Sequence, residues 1–163
     1  MSNAVTHTFI EKLGGSPHSK GSLRLWLRLL SCSMIIERRI RTRLEEDFAT
    51  TLPRFDVLAA LEREPDGLTM SQLSTALLVS NGNVTGIVNR LIEELLVIRT
   101  VESVDRRIAT VRLTRKGRDA FQRMARAHEK WIDQTFADLS EGQIDQLMKL
   151  LATVRHSAEA NPV

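Results

Sequence analysis

The chain has one cysteine, Cys32, and no tyrosine among its 163 residues. A single thiol cannot build an intramolecular disulfide framework, so the fold must rest on its own core, and the composition suits a reducing cytoplasm. Long apolar runs are also missing. No stretch approaches the roughly 18 uninterrupted apolar residues of a membrane span. The richest segment, Leu23 to Ile36, is broken by Arg24 and Arg28. The N-terminus lacks the ordered charged, apolar and small-residue regions of a secretory signal. There is no internal repeat and no low-complexity segment. Nor is there a glycine-rich phosphate loop, a metal motif or a nucleophile with a placed base, which leaves an enzymatic reading without support and implies no cofactor. What is present is a hydrophobic fraction of 42%, enough for a core in one compact domain or a small domain with attached helices.

The formal net charge is only +3, but it is unevenly spread. Arg99 to Arg118 carries seven Lys or Arg (99, 106, 107, 112, 115, 116, 118) against two acids (102, 105), while Leu52 to Ile98 is acidic in balance. The positive field is therefore a local patch, of the kind a nucleic-acid surface or simply a solvated charged face would have.

Hydrophobic spacing predicts the elements. Gly14-Gly15-Ser16-Pro17 reads as part of a flexible arm covering residues 1–20. Apolar residues at spacing four (Trp26, Leu30, Met34, then Ile36, Ile40, Leu44, Phe48) predict a long helix over 22–48. Its first half is apolar on most of its circumference and calls for burial beyond one small domain, such as a partner subunit. Thr51-Leu52-Pro53 opens a second helix with Phe55, Leu58, Ala59 and Leu61 on its apolar face, stopped at Pro65-Asp66-Gly67. Thr69-Met70-Ser71-Gln72 has the form of a capping box before a short helix. Ser80 or Asn81 caps the next helix, whose buried face is Val84, Ile87, Val88 and Leu91. Val97 to Val101 and Ile108 to Leu113 are β-rich, joined by the polar loop Glu102 to Arg107. Thr114 caps a long helix, and Ser140-Glu141-Gly142-Gln143 is a second capping box before the last one. The fold class expected is mainly α with a small β-hairpin: a winged helix-turn-helix lobe over 51–113, flanked by helical regions over 21–50 and 114–160.

A helix that reads DNA must bury one face and offer short hydrogen-bonding side chains on the other. Residues 81–91 divide in that way. Asn81, Thr85 and Asn89 run down the polar face with Arg90 beside them, side chains suited to adenine edges, phosphates and guanine. Gly82 and Gly86, four apart, permit a close approach either to DNA or to the preceding helix. At the hairpin tip, Arg106 and Arg107 can reach an adjacent minor groove, with Asp105 pairing with an arginine to orient it. The competing readings are an ordinary amphipathic helix and a solvated turn ion pair.

The pieces "LPRFDVLAALE", "GLTMSQLSTALLVSNGNVTGIVNRLI" and "VDRRIATVRLTRKG" make the stretch Thr51–Gly117 resemble the MarR family of bacterial regulators. With the flanking helices the resemblance covers about residues 20–160. It implies a homodimer held by the first and last helices, double-stranded DNA with a pseudo-palindromic operator as partner, and a role as repressor. By matching positions it places Asn81, Asn83, Thr85, Asn89 and Arg90 on DNA, Arg107 in the minor groove held by Asp105, and Ser71 and Gln72 against phosphate. The chain departs from the family at Leu95, where a glycine is usual. A left-handed cap there costs a non-glycine residue roughly 1–2 kcal/mol, so either Leu95 is strained or the helix ends in another way.

The resemblance also implies a small effector, commonly an aromatic acid, bound between the dimer helices and the DNA-reading lobe. Trp26, Leu30, Arg54, Phe55 and Leu58 are the candidate lining. The alternative for Trp26 and its neighbours is core or dimer interface. Peroxide-sensing relatives use a reactive cysteine near the start of the first helix, supported by tyrosines. Cys32 lies further along, and the chain has no tyrosine. His7, His18, His128 and His156 show no zinc-ligand spacing. Urate-responsive relatives pair Trp, Asp and two Arg. Trp26, Asp56 and Arg99 match, but Ile87 stands in place of one arginine. Against the DNA-binding regulator stand two alternatives, a winged-helix protein-interaction module and a redox-responsive regulator using Cys32.

Overall fold

The structure, a computed structural model, describes residues 17–101 and 109–161. Two compact units divide between Phe121 and Gln122.

The first unit opens with α1, Pro17–Phe48. The helix starts ahead of the 22 expected from the apolar pattern, because a proline is tolerated in a first helical turn and Gly21 is accommodated inside it. Leu44 is fully buried, anchoring the helix's end to the lobe. α1 stops at Ala49, which takes a left-handed conformation at φ +50. α2, Leu52–Arg63, follows and contributes Phe55, Leu58 and Leu61 to the core. The rings of Phe55 and Phe121 lie 5.5 Å apart, centroid to centroid.

The turn after α2 depends on Gly67, at φ +92. A Cβ there would sit 2.6 Å from Arg112 Cγ and 2.8 Å from the Val111 carbonyl oxygen, so only glycine passes. Directly after it, Leu68–Thr69 forms β1, a two-residue strand the sequence pattern did not reveal. Then come α3, Met70–Leu77, and α4, Asn81–Glu93. The hairpin strands are β2, Val97–Val101, and β3, Ala109–Leu113. The sheet is antiparallel in the order β1-β3-β2, with Leu68 opposite Val111 and Val97 opposite Leu113. The Thr100 and Thr110 hydroxyls meet across the hairpin at 2.9 Å, the cross-strand pairing that steadies such ribbons.

α5, Arg115–Thr135, begins in the first unit and runs unbroken into the second. The second unit also holds α6, Glu141–Ala160. Both capping boxes form. Thr69 Oγ1 accepts from the Gln72 amide at 3.2 Å while Gln72 Oε1 accepts from the Thr69 amide at 2.8 Å. Ser140 and Gln143 repeat the exchange at 3.4 and 2.8 Å. Ser80 is the N-cap of α4, but its side chain makes no capping hydrogen bond. Thr114 caps α5 as expected, accepting from the Gly117 amide at 2.9 Å.

Leu95 is the strained case. Its φ is +61, so the family's left-handed turn is kept without the family's glycine. The Leu95 amide donates to the Ile92 carbonyl and the Leu96 amide to the Leu91 carbonyl, both at 2.9 Å. That pair of bonds is a Schellman closure. Leu78 ends α3 in the same manner at φ +54: its own amide donates to Thr75 and the Val79 amide to Ser74.

Candidate nucleic-acid interface

α4 is divided as a reading helix must be. Val84, Val88 and Leu91 are fully buried, and the helix packs on α2, α3 and β2. Asn83, Thr85, Asn89 and Arg90 are exposed on the other side. Asn81 begins the helix. A Cβ added at Gly82 or Gly86 would meet nothing within 4 Å. The glycines are therefore not there to let α3 approach, which was one of the two explanations their spacing allowed. Each costs a helix roughly 0.5–1 kcal/mol relative to alanine, and the open space they leave faces outward.

The other expected contacts are placed as follows. Ser71 and Gln72 are exposed in the first turn of α3, but the amide oxygen of Gln72 is committed to the capping box. Asp105, Arg106 and Arg107 lie outside the described residues. Arg99, Arg115, Lys116 and Arg118 of the basic patch read from the sequence are exposed, whereas Arg112 is half-buried.

The five residues expected around an effector fall in different settings. Trp26 is 57% exposed and Leu30 lines a shallow groove on α1 with Leu27, Met34 and Arg38. Phe55 and Leu58 are core residues. The Arg54 guanidinium is paired with the Glu94 carboxylate at the end of α4. A cavity of about 610 Å³ exists instead where α1, α2, α3 and α4 converge, and none of the five lines it. Its polar groups are Glu37, Arg41, Asp56 and Asn83, and its apolar wall includes Leu52, Leu77 and Ile87. Arg41 Nε donates to Glu37 at 2.9 Å. Burial pushes the Asp56 carboxyl above its ordinary range, opposed by the nearby Arg41, reinforced by Glu37 and opposed again by Arg63. Two members of this set were named from the sequence: Asp56 on α2 as a match to an effector contact of urate-responsive relatives, and Ile87 on α4 as standing in place of one of their arginines. The rest come from four separate elements.

Cys32 is exposed on α1. His128 lies edge-on to Trp131 at 6.5 Å, and burial lowers its pKa. Among the described residues no group of three or more His, Cys, Asp or Glu is placed to hold a metal ion, and no helix is long and apolar enough to cross a membrane.

A helix-turn-helix pair followed by an antiparallel hairpin, with a polar exposed face on the second helix, defines a winged helix-turn-helix protein. Comparison with known proteins makes this more specific. Residues 50–108 match the model of the MarR family. The HTH-type transcriptional repressor IacR of Pseudomonas putida is 30% identical over 66% of this chain, which spans 64% of that protein, a little under two thirds. The transcriptional activatory protein BadR of Rhodopseudomonas palustris is 30% identical over 80% of this chain and 76% of its own length. The crystal structure of a MarR family transcriptional regulator from Silicibacter pomeroyi superposes with a TM-score of 0.75 at 30% identity, covering 88% of this chain and 99% of that one. The chain belongs to the MarR family and is a DNA-binding transcriptional regulator, in a family of regulators rather than enzymes.

Proposed function

We propose that this regulator works in the cytoplasm as a homodimer on a pseudo-palindromic operator, each copy reading one half-site with α4. The observation that carries the reading is the division of α4: three fully buried apolar residues on one side, and Asn83, Thr85, Asn89 and Arg90 on the other with glycines that leave open space. Arg107 of the wing enters the minor groove, held by Asp105, Arg106 is a further DNA contact, and Ser71 with Gln72 touches phosphate. Dimerisation is supported by apolar side chains left in water on two helices. Trp26 and Met34 on α1 are more than half exposed, as are Met148 and Leu150 on α6. Such surface is the signature of a protein contact. A two-fold dimer sets its half-sites about one helical turn apart.

Binding of a small molecule in the 610 Å³ cavity changes the affinity for DNA, because Asn83 and Ile87 of α4 form part of its wall. The relatives' names include a repressor and an activatory protein. Repression released by ligand is the reading proposed here.

The test compares Asn89→Ala and Arg90→Ala with the wild type on a selected operator and on random duplex. Removing a base-reading side chain costs about 1–3 kcal/mol on the operator and little on random sequence. Removing a phosphate-binding side chain weakens both and lowers the salt slope by about 0.9. Unchanged operator binding in both variants would contradict the assignment of α4.

A further inference from the structure

Three successive carbonyls leave the C-terminal end of α4, those of Glu94, Leu95 and Leu96, and the start of α5 takes all three. Lys116 Nζ donates to the Glu94 carbonyl at 2.9 Å. Thr114 Oγ1 donates to the Leu95 carbonyl at 2.7 Å. The Thr114 amide donates to the Leu96 carbonyl at 3.0 Å. Gly117 presses so closely on this turn that a Cβ there would lie 1.8 Å from the Leu96 oxygen. Arg54 of α2 holds the Glu94 carboxylate. The electrostatics agree with the geometry. The partial negative charge at the end of α4 faces the partial positive charge at the start of α5, and Lys116 adds a full one.

A helix pinned at one end has its rake set there. From Glu94 to Thr85 the axis runs about 13 Å at 1.5 Å per residue. A tilt of about 5° at the pin therefore moves Thr85 by roughly 1 Å, more than the width of a hydrogen bond's distance window. We propose that Thr114 and Lys116 are positioning residues for DNA reading, which hold the end of α4 and so fix its angle to the β2–β3 hairpin. The proposal rests on the reading that α4 contacts DNA. It gives Lys116, which the charge pattern alone would assign to a phosphate, a different task. It also identifies the joint between the reading helix and α5, the helix that runs on into the second unit.

The test uses the full chain with Lys116→Met, which keeps side-chain length without charge, and Lys116→Arg and Thr114→Ser, which keep the donors. Affinity is measured by fluorescence anisotropy on the operator selected by the wild type and on random duplex, across a salt series, with a urea midpoint for each variant. The expected result is a roughly tenfold loss on the operator for Lys116→Met. Random-duplex affinity, salt slope and urea midpoint stay near wild type, and the two conservative variants recover operator binding. A salt slope lowered by about 0.9 would make Lys116 a phosphate contact and overturn the proposal. So would an equal loss on both duplexes, or no loss at all. If the wild type binds no duplex even at low salt, it is the functional reading that fails, which the wild-type arm alone reveals.

Discussion

Replacing Leu78 by glycine should stabilise the protein, whereas the same replacement at Leu95 should be close to neutral. Both residues end a helix in the left-handed region, at φ +54 and φ +61. Relief of that strain is worth roughly 1–2 kcal/mol at either site. The greater freedom of glycine in the unfolded chain takes back about 0.4–1 kcal/mol at either site. The sites differ in what the leucine buries, for Leu78 is 92% exposed and Leu95 66% exposed. With full burial of a leucine at about 2 kcal/mol, the loss is about 0.2 kcal/mol at Leu78 and about 0.7 kcal/mol at Leu95. The net is a gain of about 0.5 kcal/mol for Leu78→Gly and about zero for Leu95→Gly, a difference of about 0.5 kcal/mol that comes from burial alone. Urea unfolding at one fixed protein concentration reads this as a shift in midpoint at constant slope. A destabilisation of about 1 kcal/mol by Leu78→Gly would contradict this balance of strain and burial. It would mean that Leu78 is covered by another molecule in the folded protein.

Gly117→Ala should cost about 3 kcal/mol or more or prevent folding, since the new methyl would overlap the Leu96 carbonyl oxygen. Wild-type thermal stability in that variant would show that the turn is loosely held. Thr69→Ala should lower stability by about 1 kcal/mol through loss of the capping box, while Thr69→Ser should be nearly silent in the same unfolding assay. Asp56→Asn should raise the melting temperature at pH 7. Burial raises the folded-state pKa of Asp56, so the stability tied to its proton is full below the ordinary aspartate range and is lost as pH rises through the raised value. The neutral amide keeps that stability throughout, and the two melting curves should converge below about pH 4. A variant less stable than wild type at pH 7 would mean that attraction to Arg41 outweighs burial.

The legible parts of the fold are those whose signals are local. Both capping boxes stand in four-residue windows, and the buried face of α4 is written in the spacing of Val84, Val88 and Leu91. β1 was not legible, because Leu68–Thr69 is a strand only by virtue of pairing with β3 more than forty residues on. The start of α1 is not legible in the sequence, because the glycine and proline around it weigh as breakers, although proline belongs in a first turn. Leu78 and Leu95 hide their left-handed turns behind a residue type that rarely adopts them. Leu95 was suspect only through the family's glycine. Of the site, the exposed face of α4 could be read from its sequence. The cavity could not, since Glu37, Asp56, Asn83 and Ile87 are brought together by packing between helices distant in the chain. The clamp on α4 was equally invisible. Lys116 reads as one more charge in a basic patch until its ammonium is found on the Glu94 carbonyl.

DNA reading by α4 is measured most directly by selection of duplexes from a random pool by the purified protein, followed by titration of the enriched sequence across salt. If α4 reads DNA, the pool becomes enriched in a pseudo-palindrome with half-sites about one helical turn apart. The logarithm of the binding constant then falls with log salt at about −0.9 per phosphate neutralised. A pool that emerges unenriched, or a protein that retains no duplex at low salt, would contradict the assignment of α4 as a DNA-reading helix.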